Sequence, residues 1–478
     1  MRRQTFFDHV MLILVLALAF YVAVIPHLSS PYPVHIDEWL HLANAKAVQA
    51  ADSTTYLDPF SGSWIVSPGS NLEIGFLLFW GAFQSISGLD WFTIIRWFPA
   101  IVFMITVLCV YALARREGYG WEAAFFASLI PTTVGILGPG FLVPVALALP
   151  FIPLSLFLAF NYRTWWSYLL IFIFTCFLLS VHAATAVGLV IIFVPYILLN
   201  FRGDFKRSLG IALALAVPFL ALFPWIFRML LPTAKELLTP QPVPVYVDLP
   251  TILSHYGYLP TALSLAGCFL LAMRGGKRDY GLVLGLLALL AMLVAFFSFQ
   301  YGIEIMYERG LLYLMLMLSI IAGSGLAAIR GIQLPAKLAG KIPPLLARKI
   351  GIILCLVLVG VTLAVTIPDR EDTPYYHMID EEDYQAFAWV RDNIDNTYNR
   401  ALLDPWKATA FVAITQKSVY TRIHVSPLPR DLEAYQFLDN GCRDTAFLRD
   451  NGVSIVYTRD ACDNPDLVEV RENVYLLR

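Results

Sequence analysis

Residues 10–24, VMLILVLALAFYVAV, hold no charged side chain, and a polar, proline-bounded stretch, PYPVHIDEW at 31–39, follows closely behind them. Runs of the same kind recur at 101–114 (IVFMITVLCVYALA) and 351–365 (GIILCLVLVGVTLAV). The segments containing them are about 17–25 residues long, which matches the span of a bilayer core. The rest of the composition agrees. Of 478 residues, 58% are hydrophobic and 14% charged, with a mean hydropathy of +0.68. A soluble domain is nearer about 45–50% apolar and about 25% charged. From Asp369 onward the charge density becomes that of an ordinary water-soluble domain. The first hydrophobic run follows Met1-Arg2-Arg3, but its length and the lack of a small-residue cleavage site favour a retained helix over a signal peptide.

Hydrophobic segments are expected near 10–28, 71–88, 91–114, 121–137, 143–160, 166–180, 184–200, 208–228, 259–273, 280–298, 311–330 and 350–366. The expected fold is therefore a polytopic α-helical membrane protein of about eleven to thirteen transmembrane helices. Arg2, Arg3, Arg115, Arg116, Arg163, FRGDFKR (201–207), RGGKRD (274–279) and the basic 330–349 linker mark the cytoplasmic side. This puts the N-terminus in the cytoplasm and leaves loops 29–70 and 229–258 and the C-terminal domain outside. Parity is met if 71–88, which opens with Asn71 and Glu73, lies in the interface rather than crossing. The division expected is 1–367 for the membrane domain and 368–478 for a soluble extracytoplasmic domain.

IDEWLHLANAKAVQ after Pro31 and Pro33 reads as an amphipathic helix on the membrane surface, with Trp39, Leu42, Ala43 and Ala47 on one face. The proline-rich 229–258 loop reads as an irregular lid. In the tail, EEDYQAFAWVRDNI has helical spacing, ALLDPWKATAFVAI a strand and a helix, KSVYTRI a strand, and DTAFLRDNGVSIVYTRD a helix, a turn and a strand. Such alternation predicts a small α/β domain. It carries no glycine-rich nucleotide loop. The net charge of −2 and the lack of a basic run argue against nucleic acid as a partner. Cys442 and Cys462 both fall in the tail and can pair if it faces an oxidising compartment.

Asp37 and Glu38 are the leading chemical candidates. Adjacent helical residues point about 100° apart, so one carboxylate can act as general base while the other orients a partner or a metal. The bland alternative is that Asp37 caps the helix. Arg309, in IEIMYERG before the helix expected at Gly310, can grip a lipid-linked phosphate. Its bland alternative is an ion pair with Glu304 or Glu308. His182 and His255 are candidates for the same phosphate, and Tyr256, Glu304, Glu308 and Arg96 for substrate binding; Asp58, Glu73 and Asp248 rank lower. Sequence shows no Cys/His cluster at ligand spacing, so Mg²⁺ or Mn²⁺ on Asp37 and Glu38 is the one metal site considered.

The order of first helix, HIDEW loop, helix, many further helices, long loop, YERGLLYLMLMLSIIAGSG and outer α/β tail resembles the membrane glycosyltransferases of the GT-C superfamily. The protein mannosyltransferase-like and aminoarabinose transferase-like enzymes are the nearer branches, with oligosaccharyltransferase subunits more distant. The resemblance implies a GT-C-type fold with an extracytoplasmic α/β domain and a polyprenyl- or dolichyl-phosphate sugar as donor. It further implies Asp37 as the acid that activates the acceptor or holds a metal, and Arg309 as the arginine on the donor phosphate. An inverting transfer to a glycan, lipid or protein acceptor is the function implied. Where such enzymes often carry a second acid, this chain reads Leu137-Gly138-Pro139-Gly140-Phe141, which speaks against metal dependence. The tail has no WWDYG-like sequence, which speaks against transfer of a whole oligosaccharide to asparagine. The alternatives are a transporter or flippase of lipid-linked saccharides, and a non-catalytic assembly subunit on the same scaffold.

Overall fold

The computed structural model describes residues 2–66, 71–133, 135–238, 249–302, 304–333, 343–375, 377–423 and 428–478. The chain divides into two compact units, one of Met1–Leu28 with Trp97–Pro374 and one of Ser29–Arg96 with Tyr375–Arg478. Residues 29–96 thus group with the C-terminal residues instead of with the other helices.

In the helical unit the elements are α1 (Arg2–Val24), then, after the first outer loop, α4 (Trp91–Arg115), α5 (Gly120–Ala127), α6 (Pro144–Ala148), α7 (Phe151–Asn161), α8 (Trp165–Val181), α9 (Ala183–Phe201), α10 (Phe205–Leu238), α11 (Leu249–Tyr256), α12 (Tyr258–Arg274), α13 (Lys277–Phe299), α14 (Glu304–Arg330) and α15 (Pro344–Glu371). Among the described residues, 8 helical stretches are long and apolar enough to cross a membrane, against about eleven to thirteen expected. Two more, α8 and α12, have 17 residues each, which reaches about 26 Å.

The shortfall has local causes. The segment expected as a helix over 121–137 stops at Ala127, four residues before Pro131, whose ring lacks the N–H for the next ladder bond. Side chains replace the lost bonds: Gly140 N–H donates to Thr132 Oγ1 at 2.8 Å, and Ile136 N–H to Thr133 Oγ1 at 2.9 Å. This irregular backbone is buried in protein, the condition under which it is tolerated in a membrane protein. The 229–258 loop is also more regular than expected, since α10 continues to Leu238 and α11 begins at Leu249. Pro240, Pro242, Pro244 and Asp248 lie outside the described residues. Helix α14 starts at Glu304 instead of Gly310, so Arg309 is helical.

Helix α14 is the axis of this unit, with 83% of its apolar stretch buried, whereas α10 and α15 are buried over 28%. Its glycines explain how it sits so deep. A Cβ on Gly325 would lie 2.4 Å from Leu263 O, and one on Gly323 would lie 2.5 Å from Ala123 N. Bare backbone there lets α12 and α5 pack directly on α14, the small-residue device of membrane helices. At the end of α14, Arg330 Nη1 meets the fully buried Glu122 at 2.9 Å.

The second unit contains α2 (Ile36–Ala51), the hairpin β1 (Thr55–Leu57) and β2 (Trp64–Val66), α3 (Ile74–Ser87), α16 (Glu381–Asn393), β3 (Arg400–Leu402), α17 (Ala408–Thr415), β4 (Ser418–Val419), α18 (Pro429–Asp439), α19 (Thr445–Asp450), β5 (Ile455–Tyr457), β6 (Leu467–Arg471) and β7 (Val474–Leu477). Its five-stranded sheet runs β4-β3-β5-β7-β6, with β3 parallel to β4 and β5 and β7 antiparallel to β5 and β6. Leu402, Phe437, Leu448, Val453 and Val456 fill one core. The strand expected over 417–423 shortens to Ser418–Val419. Cys442 and Cys462 form a disulfide beside this core.

The apolar face of α2 is covered by protein, which corrects the reading of a helix lying on lipid. Trp39 and Leu42 are buried, α2 packs on α17 and α3, and Lys46 Nζ donates to Ala413 O at 2.7 Å. Tyr32 anchors the start of the loop by packing its ring, tilted by 31°, against Tyr384 at 4.8 Å and donating to Glu381 at 2.6 Å. Helix α3, with 14 residues, spans about 21 Å and is too short to cross.

Candidate functional site

The N-terminus of α2 decides the roles of the two acids. His35 occupies the N-cap position in extended backbone, φ −123° and ψ 145°. Its Nδ1 accepts from Asp37 N–H at 3.1 Å. Glu38 folds back over the cap, and its Oε2 accepts Val34 N–H at 3.1 Å and His35 N–H at 3.3 Å. Glu38 is 1% exposed. These contacts satisfy backbone donors that a helix start would otherwise leave orphaned. Glu38 therefore caps the helix through one carboxylate oxygen. Capping by His35 and Glu38 relieves Asp37 of that task. Its side chain is 29% exposed, and His35 Nδ1 lies 4.0 Å from Oδ2.

A guanidinium that gave no signal in the sequence lies in the same unit. Arg422, just past β4, stacks on Phe60 with Cζ 4.9 Å from the ring centroid. Burial holds its pKa below the usual arginine value, opposed by the charges of Asp58, Asp37 and Asp431. Within YTRI it reads as one more strand residue, and only the fold brings position 422 to the loop at 37–60. Asp58 serves its own turn, accepting Phe60 N–H at 3.2 Å and the Ser61 hydroxyl at 2.6 Å.

The Oε2 atom of Glu38 is turned onto the backbone N–H groups of Val34 and His35. Among the described residues no group of three or more His, Cys, Asp or Glu side chains is placed to hold a metal.

In the helical unit, Arg309 and His182 belong to one polar group. His182 ends α8 and caps α9, accepting Thr185 N–H through Nδ1 at 3.3 Å. With Nδ1 fixed as acceptor, the Thr185 hydroxyl donates to it at 2.7 Å and in turn accepts from the Tyr313 hydroxyl at 2.7 Å. Arg309 lies four residues before Tyr313 on α14, on the same face and within electrostatic reach of the phenol. Its guanidinium makes a long pair with Glu308, 3.9 Å, and the side chain is 15% exposed. Gly188 makes room for the arrangement, because a Cβ there would fall 2.8 Å from the Tyr313 ring.

The other candidates separate from this group. Tyr256 is fully buried and its hydroxyl pairs with Ser319 Oγ at 2.6 Å. His255 is half-buried, its pKa is lowered by burial, and its carbonyl accepts from the Arg370 guanidinium. Arg96 is half-buried on α4, and the Glu304 side chain lies outside the described residues.

No protein-family model matches the chain, and no curated protein matches it. Solved structures do. The archaeal oligosaccharyltransferase AglB from Archaeoglobus fulgidus, in complex with an inhibitory peptide and a dolichol-phosphate, superposes with a TM-score of 0.61 at 13% identity, covering 95% of this chain and 69% of that one. The apo form of the same enzyme gives 0.58 at 12% identity, with 94% and 69% covered. The arabinofuranosyltransferase AftD from Mycobacteria gives 0.58 at 18% identity, and this chain, covered over 96%, spans 37% of it. With several helices long and apolar enough to cross a membrane and a small C-terminal sheet, the chain shares the polytopic helical fold of these two solved structures.

Proposed function

We propose that the protein is an inverting glycosyltransferase that moves a sugar from a polyprenyl- or dolichyl-phosphate donor to an extracytoplasmic acceptor hydroxyl or amine. The observation that supports it most is the state of Asp37 in a chain of this fold. Its neighbours His35 and Glu38 take over helix capping, so its carboxylate remains available as a general base. In the reaction Asp37 takes the proton of the acceptor as its oxygen or nitrogen attacks the anomeric carbon. The bond from that carbon to the phosphate oxygen breaks, and its electron pair stays on the departing lipid phosphate. Arg309, loosely paired and grouped with His182 through Tyr313 and Thr185, neutralises that charge. The dolichol-phosphate bound by the archaeal structural neighbour accords with such a donor. A disulfide at Cys442–Cys462 accords with an extracytoplasmic tail.

The test is transfer from a panel of radiolabelled polyprenyl-phosphate sugars by the purified protein, with Asp37→Asn and Arg309→Ala variants checked for folding. The expected result is transfer by the wild type and a loss of about 10²–10⁴-fold in kcat for Asp37→Asn. Donor binding without transfer, unchanged by Asp37→Asn, would refute the proposal and favour a carrier of lipid-linked saccharides.

A further inference from the structure

Two apolar surfaces of the second unit are exposed. In the hairpin, Leu57 lies opposite Trp64 and Thr55 opposite Val66, which puts the four on one face. Leu57 is 48% exposed, Trp64 68% and Val66 57%. The other face is seated. Tyr56 is 1% exposed, and its hydroxyl donates to Asn44 Oδ1 on α2 at 3.4 Å and accepts from Asn71 Nδ2 at 2.9 Å. An antiparallel pair with one face in water carries polar residues there, whereas the outward residues of this hairpin are mostly apolar. Helix α3, which follows, repeats the pattern: Ile74, Leu77 and Trp80 are buried, while Leu78 and Ile86 are 42% and 87% exposed. From 55 to 66 the one charged side chain is Asp58, turned into its own turn, and 74–87 holds none.

Chain connectivity decides what covers these residues. The segment lies between α1 and α4, both long and apolar enough to cross a membrane, so it leaves a bilayer surface and returns to it. A tryptophan with aliphatic neighbours and little charge nearby suits the boundary between lipid headgroups and acyl chains. We propose that the β1–β2 hairpin is a membrane-contact element, with Leu57, Trp64 and Val66 seated in the headgroup–acyl boundary of the bilayer and Leu78 and Ile86 of α3 as further lipid contacts. Through Tyr56 and Asn44 this contact ties α2 to the bilayer surface. It does not draw on the reading of Asp37 as a base.

The first measurement uses the full-length protein labelled with 5-fluorotryptophan in lipid bicelles. It reads the fluorine line of Trp64, identified as the one missing from Trp64→Phe, a variant checked for folding by thermal melts. Doping the bicelles with 5-doxyl phosphatidylcholine, whose nitroxide lies just below the headgroups, should broaden that line about twofold or more. A line unchanged by the lipid nitroxide would overturn the proposal. A soluble gadolinium chelate then separates the two ways of failing, broadening the line of a hairpin in water and sparing one covered by protein such as a second copy. The second measurement needs no tryptophan variant. A nitroxide on Leu57→Cys, in a chain whose four free cysteines are replaced by alanine, should collide more often with oxygen, which concentrates in lipid, than with a water-soluble nickel chelate. The reverse order in the folded variant would overturn the proposal. Neither measurement needs turnover, so absence of sugar transfer with both results as expected would remove the glycosyltransferase reading and leave the membrane contact standing.

Discussion

Replacing Glu38 by alanine removes the acceptor of two backbone N–H groups, those of Val34 and His35, at a position 1% exposed. Hydrogen bonds to a charged group contribute about 1.5–3 kcal/mol, and each buried donor left without a partner costs about 1–3 kcal/mol. These terms overlap, because losing the bond and orphaning the donor are the same event, and loss of a cap alone costs about 0.5–2 kcal/mol. The expected destabilisation for Glu38→Ala is therefore about 2–4 kcal/mol. Asp37→Asn differs. The residue is part-exposed, its carboxylate caps nothing, and its main structural contribution is a first-turn charge, about 0.3–1 kcal/mol. Denaturant unfolding and limited proteolysis of both variants, run beside the transfer assay, separate the two acids. Glu38→Ala should lower stability and retain per-molecule activity in the folded fraction; Asp37→Asn should retain stability and lose turnover. A Glu38→Ala protein of wild-type stability that has lost turnover would refute this division of roles.

Three further outcomes are expected. Reducing the Cys442–Cys462 bond, which closes a loop with a sequence separation of 20, or replacing Cys442 by serine, should destabilise the second unit by about 3 kcal/mol, and identical melts with and without reductant would contradict this. Burial pulls the Lys46 ammonium down to about 8, so between that pH and its ordinary value near 10.5 the unfolded chain holds a proton that the folded chain has released. Stability from this group should rise with pH across that window, and Lys46→Met should flatten the rise; a falling wild-type profile there, flattened by the variant, would show the sign to be wrong. Gly188→Ala should cost about 1–3 kcal/mol by forcing the Tyr313 ring off its seat, measured as a loss of thermal stability, and wild-type behaviour would show that the ring moves freely.

Much of the architecture is legible along the chain because it depends on properties a short window contains. An apolar run either matches the thickness of a bilayer or it does not, so most of the membrane helices follow from 10–24, 101–114, 351–365 and their like. The helix from EEDYQAFAWVRDN and the strand and helix from ALLDPWKATAFVAI are similarly local, as is the acid after the first helix. Hydropathy failed at 128–143, where an apolar composition hides prolines and glycines that interrupt the ladder, and where threonine side chains make the interruption tolerable.

The chemistry of the site depended on positions far apart. Glu38 looked equivalent to Asp37 until one of its carboxylate oxygens was seen to turn back onto the backbone, since adjacent residues on one helix have different neighbours. Arg422 stacks on Phe60 of the first outer loop and gave no signal in its own segment. The grouping of 29–96 with 375–478 likewise rests on Tyr32 against Tyr384 and Lys46 on Ala413, contacts whose partners no local pattern names. Apolar length and helical or strand period are properties of a single segment, so the sequence alone determined the membrane helices and the α/β tail. Which charge is capped, engaged or left open is a property of the folded neighbourhood, and only the tertiary structure decided it.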